Sequence, residues 1–198
     1  MNNWKIVSFY TLNYKPVAEK YLIPSLKKLS IEPYIICVPN LNNWKTATDY
    51  KATFVQECLN GFKEDIVWID CDATVNYYPE LFDNIPIEYD IGVHYFDPTL
   101  FYDDIIKPPH VASGTIFIRN NEKIKILVNE WIENTKYTRW EQMALQLAIE
   151  HNSTIKNYNL PRSHCYINSQ PNGKPPRVII EQPVIEHFQA SREMRNKK

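Results

Sequence analysis

Ile66-Val67-Trp68-Ile69-Asp70-Cys71-Asp72 is a run of four bulky apolar residues that ends in two acids spaced by one. A short run of β-branched and aromatic residues reads as a buried strand. Side chains alternate in extended chain, so the spacing predicts that Asp70 and Asp72 project to one side and Cys71 to the other. Two carboxylates on one face can share a cation. Ligands of open α/β sheets sit beyond the carboxyl ends of the strands, where this pair falls if its strand is central. A Mg²⁺ or Mn²⁺ held there would bridge a diphosphate and stabilise the charge that develops as it leaves. The chain has nine aspartates, so an Asp-x-Asp match alone says little. Its place directly behind an apolar strand separates it from a solvated turn.

Outward from this stretch the pattern is that of an α/β domain, with short apolar runs alternating with helix-period segments. Strands are expected at residues 5–10, 34–38, 66–69, 91–95 and 115–118. A helix is expected over about 16–29 and restarts near Pro24, which lacks an N–H and suits a first turn. Thr46 and Asp49 resemble a capping pair for a helix whose apolar stripe is Ala47, Phe54, Val55, Cys58 and Leu59. Further helices are expected over 122–134 and 141–150. Residues 96–110 form a long polar and aromatic loop, the kind that covers sites. Residues 161–177 read as irregular. Apolar pieces at 178–180 and 184–185 precede a basic tail with Arg192, Arg195, Lys197 and Lys198.

Composition narrows the function classes. At 198 residues, with 44% hydrophobic against 23% charged residues, the chain has the apolar surface for one domain. The reading is a single unit over 1–198, with a ligand-binding half at 1–95, a second half at 96–186 and the tail at 187–198. Twenty-two basic residues nearly cancel 23 acidic ones, so no overall field attracts nucleic acid. The four glycines, Gly61, Gly92, Gly114 and Gly173, are scattered, which excludes a dinucleotide GxGxxG turn and a P-loop. Any nucleotide phosphate must then meet a metal or side chains. Cys37, Cys58, Cys71 and Cys165 have no CxxC or zinc spacing and read as free thiols. With no leader-like or membrane-spanning apolar stretch, a cytoplasmic protein is expected. There is no GxSxG elbow and no Cys–His pairing, so hydrolase chemistry through a nucleophile has little support.

Five elements, in order along most of the chain, resemble the GT-A glycosyltransferases with a DxD motif. They are Lys51 on its helix, Trp68-Ile69-Asp70-Cys71-Asp72-Ala73, Pro79-Glu80-Leu81-Phe82, Ala112-Ser113-Gly114-Thr115-Ile116-Phe117-Ile118, and Trp131 followed by Trp140-Glu141-Gln142. The resemblance is nearest to compact bacterial and phage transferases, including the galactosyltransferase-like GT8 type. It implies a mixed, mostly parallel central sheet flanked by helices. It implies metal-dependent transfer of a sugar from a nucleotide diphosphate donor, a UDP-sugar, to a hydroxyl acceptor, with retention favoured over inversion.

The resemblance also assigns residues. Tyr10, Thr11 and Asn13 fall in its base and ribose pocket, and a tyrosine face can stack on uracil. Lys51 reaches toward ribose or phosphate, and Ser113 with Gly114 lies on the acceptor side. Gln142 lies near the reacting carbon of a retaining enzyme, whereas in an inverting one Glu141 would deprotonate the acceptor. The family usually has Asp where Glu141 stands. A late histidine, here His187, completes the metal site, and an imidazole favours Mn²⁺ over Mg²⁺. Ser191 and Arg192 would hold the diphosphate by charge-assisted hydrogen bonds. His94, His110, His151 and His164 lack ligand spacing and read as structural. Two rivals are weighed. A sugar-phosphate nucleotidyltransferase wants a glycine-rich loop after the first strand, where this chain has Tyr10-Thr11-Leu12-Asn13-Tyr14-Lys15. A carbohydrate-binding protein without catalysis is suggested by 13 tyrosines and five tryptophans.

Overall fold

The computed structural model describes residues 3–41, 43–102 and 107–195, and the basic residues Lys197 and Lys198 lie outside that range. In chain order the elements are β1 (Trp4–Thr11), α1 (Lys15–Lys20), α2 (Leu22–Lys28), β2 (Tyr34–Val38), α3 (Trp44–Gly61), β3 (Asp65–Ile69), β4 (Ala73–Val75), α4 (Leu81–Asn84) and β5 (Ile91–Phe96). There follow α5 (Pro98–Phe101), β6 (His110–Ile118), α6 (Glu122–Thr135), α7 (Glu141–His151), β7 (Asn157–Asn159), β8 (Tyr166–Ile167), β9 (Ile185–His187) and α8 (Ala190–Arg195).

The main sheet has the order β2-β1-β3-β6-β5-β7. β1 runs parallel to β2 and β3, β6 runs antiparallel to β3 and β5, and β7 is parallel to β5. Five strands therefore point one way and β6 alone is reversed, the mixed, mostly parallel sheet that was expected. β3 lies in the middle and is buried at all five positions. Its side chains alternate between two layers. Ile66 and Trp68 face a core built with Phe54, Val55, Leu127, Trp131 and Leu145 from α3, α6 and α7. Val67 and Ile69 face the other layer, with Leu22, Leu26, Phe82 and Phe117. Each fully buried aliphatic side chain contributes about 1.5–3 kcal/mol, so both halves of β3's alternation anchor it and its carboxyl end is fixed. No helix among the described residues is long and apolar enough to cross a membrane.

Several boundaries differ from expectation for local physical reasons. The helix of 16–29 is two helices, broken at Tyr21 (φ −114°, ψ −79°), and Pro24 falls in the first turn of α2 where its missing N–H leaves no bond unmade. The cap of α3 is Asn43, whose side chain accepts from the Thr46 amide; the Thr46 and Asp49 pair is not the cap. The 96–110 segment contains α5, and residues 103–106 lie outside the described range. β6 begins at His110, five residues before the expected strand, and Ser113 and Gly114, which look like a turn in sequence, lie within it at a register shift of the β5–β6 pairing.

The reading of 161–177 as irregular missed β8, which belongs to a second sheet of order β4-β9-β8. There Ala73 pairs with His187, and Ile167 pairs with His187 on the other side. Strands of two or three residues carry no usable period. Yet this small sheet brings His187 beside Asp72.

Candidate functional site

The site is built at the end of β3. The Asp70 amide donates to the Gly114 carbonyl of β6 at 2.8 Å, and the Ala73 amide returns to the Asp70 carbonyl at 3.1 Å. Asp70-Cys71-Asp72-Ala73 is thus a turn, which corrects the expectation of extended chain with alternating faces. The two acids converge for a different reason. Asp70 Oδ1 accepts from the Trp68 indole Nε1 at 2.9 Å and pairs with the Lys51 ammonium at 2.9 Å. Asp72 is fixed from the other end of the chain, its Oδ2 accepting from the Ala190 amide at 2.8 Å and its carbonyl from the Phe188 amide at 3.1 Å.

His187 completes the group. Its ring is 1% exposed, with Nε2 2.9 Å from Thr115 Oγ1 and Nδ1 4.0 Å from Asp72 Oδ1. A ligand atom from each of Asp70, Asp72 and His187 lies within 4.8 Å of the others. With Nε2–H donating to Thr115, Nδ1 presents a bare lone pair, and this buried nitrogen has no hydrogen-bond partner among the described residues. A buried polar atom left so is costly unless something binds it. Two carboxylates and one imidazole nitrogen are a donor set for a divalent cation, so these residues fit a metal. Gly114 allows the arrangement, because a Cβ there would stand 2.8 Å from His187 Cε1 and 3.0 Å from Nδ1.

Lys51 organises the acids. It is 4% exposed, and besides Asp70 it donates to Glu141 Oε1 at 2.9 Å and the Ser113 carbonyl at 3.0 Å. An ammonium has three hydrogens, and three protein acceptors take them. In this structure the Lys51 ammonium is held among these protein acceptors at the floor of the site. Burial opposes its charge, but Asp70 and Glu141 outweigh that and hold its pKa above the ordinary lysine range. Glu141, the first residue of α7, is 7% exposed and also accepts from Ser113 Oγ at 2.6 Å, while its Oε2 has no partner among the described residues. Burial raises its carboxyl, and Lys51 and Ser113, which bond the ionised form, work against that rise. The Trp131 indole donates to the Glu141 carbonyl at 3.0 Å and so pins the start of α7 to α6.

Burial and the charge of Asp70 push Asp72 up to about 7, and burial lowers His187 to about 4, so the imidazole is neutral at pH 7 and fit to bind a metal. His164, edge-on to Phe82, is also lowered by burial to about 4. An unfolded imidazole titrates near 6.5, so the contribution of His164 to stability is whole above that pH. It is lost as the pH falls toward 4, by up to about 3 kcal/mol. Asp72 acts in the opposite direction over the same range, so the effect is read by difference. By urea unfolding in chelator, the stability gap between the wild type and His164→Gln is expected to shrink by up to about 3 kcal/mol from pH 7 to pH 4. A gap independent of pH would remove the buried neutral imidazole.

A cleft of about 810 Å³ opens over this centre, lined by Tyr10, Thr11, Asn13, Lys51, Asp70 and Asp72, then Ser113, Gly114, Glu141 and Gln142, and finally His187, Ser191 and Arg192. Every residue that the sequence singled out for a site role lines this one cavity. Arg192 donates from its guanidinium to the Ser169 carbonyl at 2.9 Å, which ties α8 to the loop after β8. Trp68 and Thr115, which aim Asp70 and His187, were missed. Trp68 carried a signal, since it sits two residues before Asp70 on the strand. Thr115 carried none, because its partner is distant in sequence.

No protein-family model matches the chain, and no curated protein matches it. Solved structures do. A glycosyltransferase involved in the glycosylation of the major capsid of PBCV-1 matches with TM-score 0.62 and 12% identity, covering 98% of each chain. Mouse xyloside xylosyltransferase 1 matches with TM-score 0.58 and 10% identity over 95% of this chain and 98% of that one. An active-site mutant of LgtC matches with TM-score 0.54 and 11% identity over 93% and 87%. The chain has the GT-A glycosyltransferase fold.

Proposed function

We propose that the protein is a metal-dependent glycosyltransferase that moves a sugar from a UDP-sugar to a hydroxyl acceptor, with retention of configuration. The observation that carries this reading is the convergence of Asp70, Asp72 and the bare Nδ1 of His187 at the carboxyl end of the central strand. Those three residues would hold Mn²⁺, which neutralises the charge of the departing diphosphate when bound. Ser191 and Arg192, on and beside the first turn of α8, add donors for the same phosphates. Tyr10, Thr11 and Asn13, with Asn40 from the loop after β2, line the end of the cleft suited to the nucleoside.

Retention is supported by the acids that line the cleft. Besides the metal pair, the described lining holds only Glu141, and its Oε1 is bound to Lys51 and Ser113. Its Oε2, without a partner among the described residues, is buried, so neither oxygen is presented to an acceptor hydroxyl and Glu141 is a poor base. Gln142, which lines the same cleft as Ser113, is then the residue assigned to face the sugar.

The test uses UDP-glucose and UDP-galactose with and without Mn²⁺. One of them with Mn²⁺ is expected to raise the melting temperature and to release UDP slowly into water, and chelator is expected to abolish both effects. No shift and no release with any nucleotide-sugar would overturn the reading. A thermal shift by free saccharides alone would favour a binding protein.

A further inference from the structure

Beyond the donor, the cleft has a second half with its own chemistry. Its lining crosses the sheet edge from the loop after β2 to the end of β5, four strand intervals or about 19 Å. The metal centre stands at β3, so about 10 Å of cleft remains toward β5. That is room for the donor's sugar and one further ring. The walls there are aromatic. Phe96 and His110, opposite each other in the β5–β6 pair, have ring centroids 5.2 Å apart, and Phe96 contacts Phe101, which contacts the cleft-lining Tyr102. Trp140, directly before Glu141 and Gln142, also lines this cleft.

Trp140 is 40% exposed, unlike Trp4, Trp68 and Trp131, so its indole is not holding the core. The Arg139 guanidinium sits 5.0 Å over its ring, yet Arg139 does not line the cleft. The face of the indole away from Arg139 is the one left to a ligand.

We infer that this half of the cleft is an acceptor subsite for a saccharide, in which a pyranose ring stacks its C–H face on Trp140, in the cleft that Phe96 and His110 also line. The inference rests on the glycosyl-transfer reading and adds the acceptor's class. A pyranose has hydroxyls at its rim and an apolar face, and the subsite answers with an indole face and with polar tips from Tyr102, His110 and Gln142. A lipid chain would need continuous apolar surface, which those same polar tips interrupt.

The experiment compares the wild type, Trp140→Ala and Trp140→Phe with methyl glucosides, galactosides and xylosides, a serine peptide and a long-chain alcohol as acceptors, and UDP-glucose or UDP-galactose with Mn²⁺ as donor. A saccharide is expected to give a disaccharide product. Trp140→Ala is expected to raise the KM for that saccharide about tenfold relative to the KM for the donor, and Trp140→Phe to restore most of it. In parallel, saturation transfer from the protein to the methyl glycosides reads the ring contact without any chemistry, and it should be lost in Trp140→Ala. Transfer only to the peptide or the alcohol, an unchanged ratio in Trp140→Ala, or no saturation transfer to any glycoside would overturn the subsite. Saturation transfer that depends on Trp140 in a protein that turns over no nucleotide-sugar would keep the saccharide subsite and remove the transfer reading instead.

Discussion

Asp72→Asn is expected to lose divalent-ion binding by about a hundredfold or more, and sugar transfer with it, while melting higher than the wild type in chelator at pH 8. The two halves of this result have one cause. Asn keeps an oxygen to accept from the Ala190 amide, so the attachment of α8 survives. What disappears is a buried negative charge. In the wild type the Asp72 carboxyl is pushed up to about 7 by burial and by Asp70, from an ordinary value of 3.8. A folded pKa above the unfolded one means that this group's contribution is whole at low pH and is lost as pH rises through 7, at a cost of up to about 4 kcal/mol. At 2–4 °C per kcal/mol, Asp72→Asn gains up to about 8–16 °C in chelator at pH 8, and the gain shrinks as the pH falls toward 4. Mn²⁺ reverses the order, because only the wild type is stabilised by it. Calorimetric titration with Mn²⁺ and melting curves with and without chelator read both halves. Equal Mn²⁺ affinity in the two proteins would end the metal assignment.

Gly114→Ala attacks the same centre through packing. The added methyl would lie 2.8 Å from Cε1 and 3.0 Å from Nδ1 of His187, a buried ring that cannot swing into solvent. Overpacking of this kind costs about 1–3 kcal/mol, or about 2–12 °C here. The ring must also shift off Asp72, so Mn²⁺ affinity is expected to fall about tenfold or more. A double-mutant cycle separates the effects. In a His187→Ala background, Gly114→Ala has no ring to strike and should cost little stability, leaving a coupling of about 1–3 kcal/mol. Additive losses would show that Gly114 serves some purpose other than seating His187.

The central strand and its two acids were legible because their signal is local: four apolar residues and then Asp70-Cys71-Asp72. The alternation that suggested convergence was the wrong geometry, since a turn and two distant anchors, Lys51 and Ala190, set the pair. Gly114 was legible as a small residue near the site, but the neighbour it makes room for is His187. Nothing near position 114 or 187 announces the other, because β9 has three residues and pairs with strands of three and two. Glu141 was legible as a candidate base at the start of an expected helix, but only the burial of Lys51 beside it reveals its partner. Side chains joined across tens of residues leave no trace in a local pattern.

Ala190 and Asp72 stand 118 residues apart, and β9 reaches Ala73 across nearly the same distance. An ion shared by Asp72 and His187 would therefore act as a cross-link between early and late parts of the polypeptide, and clips that close long loops remove the most freedom from the unfolded chain. During synthesis the acids emerge well before the imidazole. A nascent chain short of residue 187 would offer two acids of a half-made centre, and the cation would be captured last, on a chain that has already folded most of its sheet.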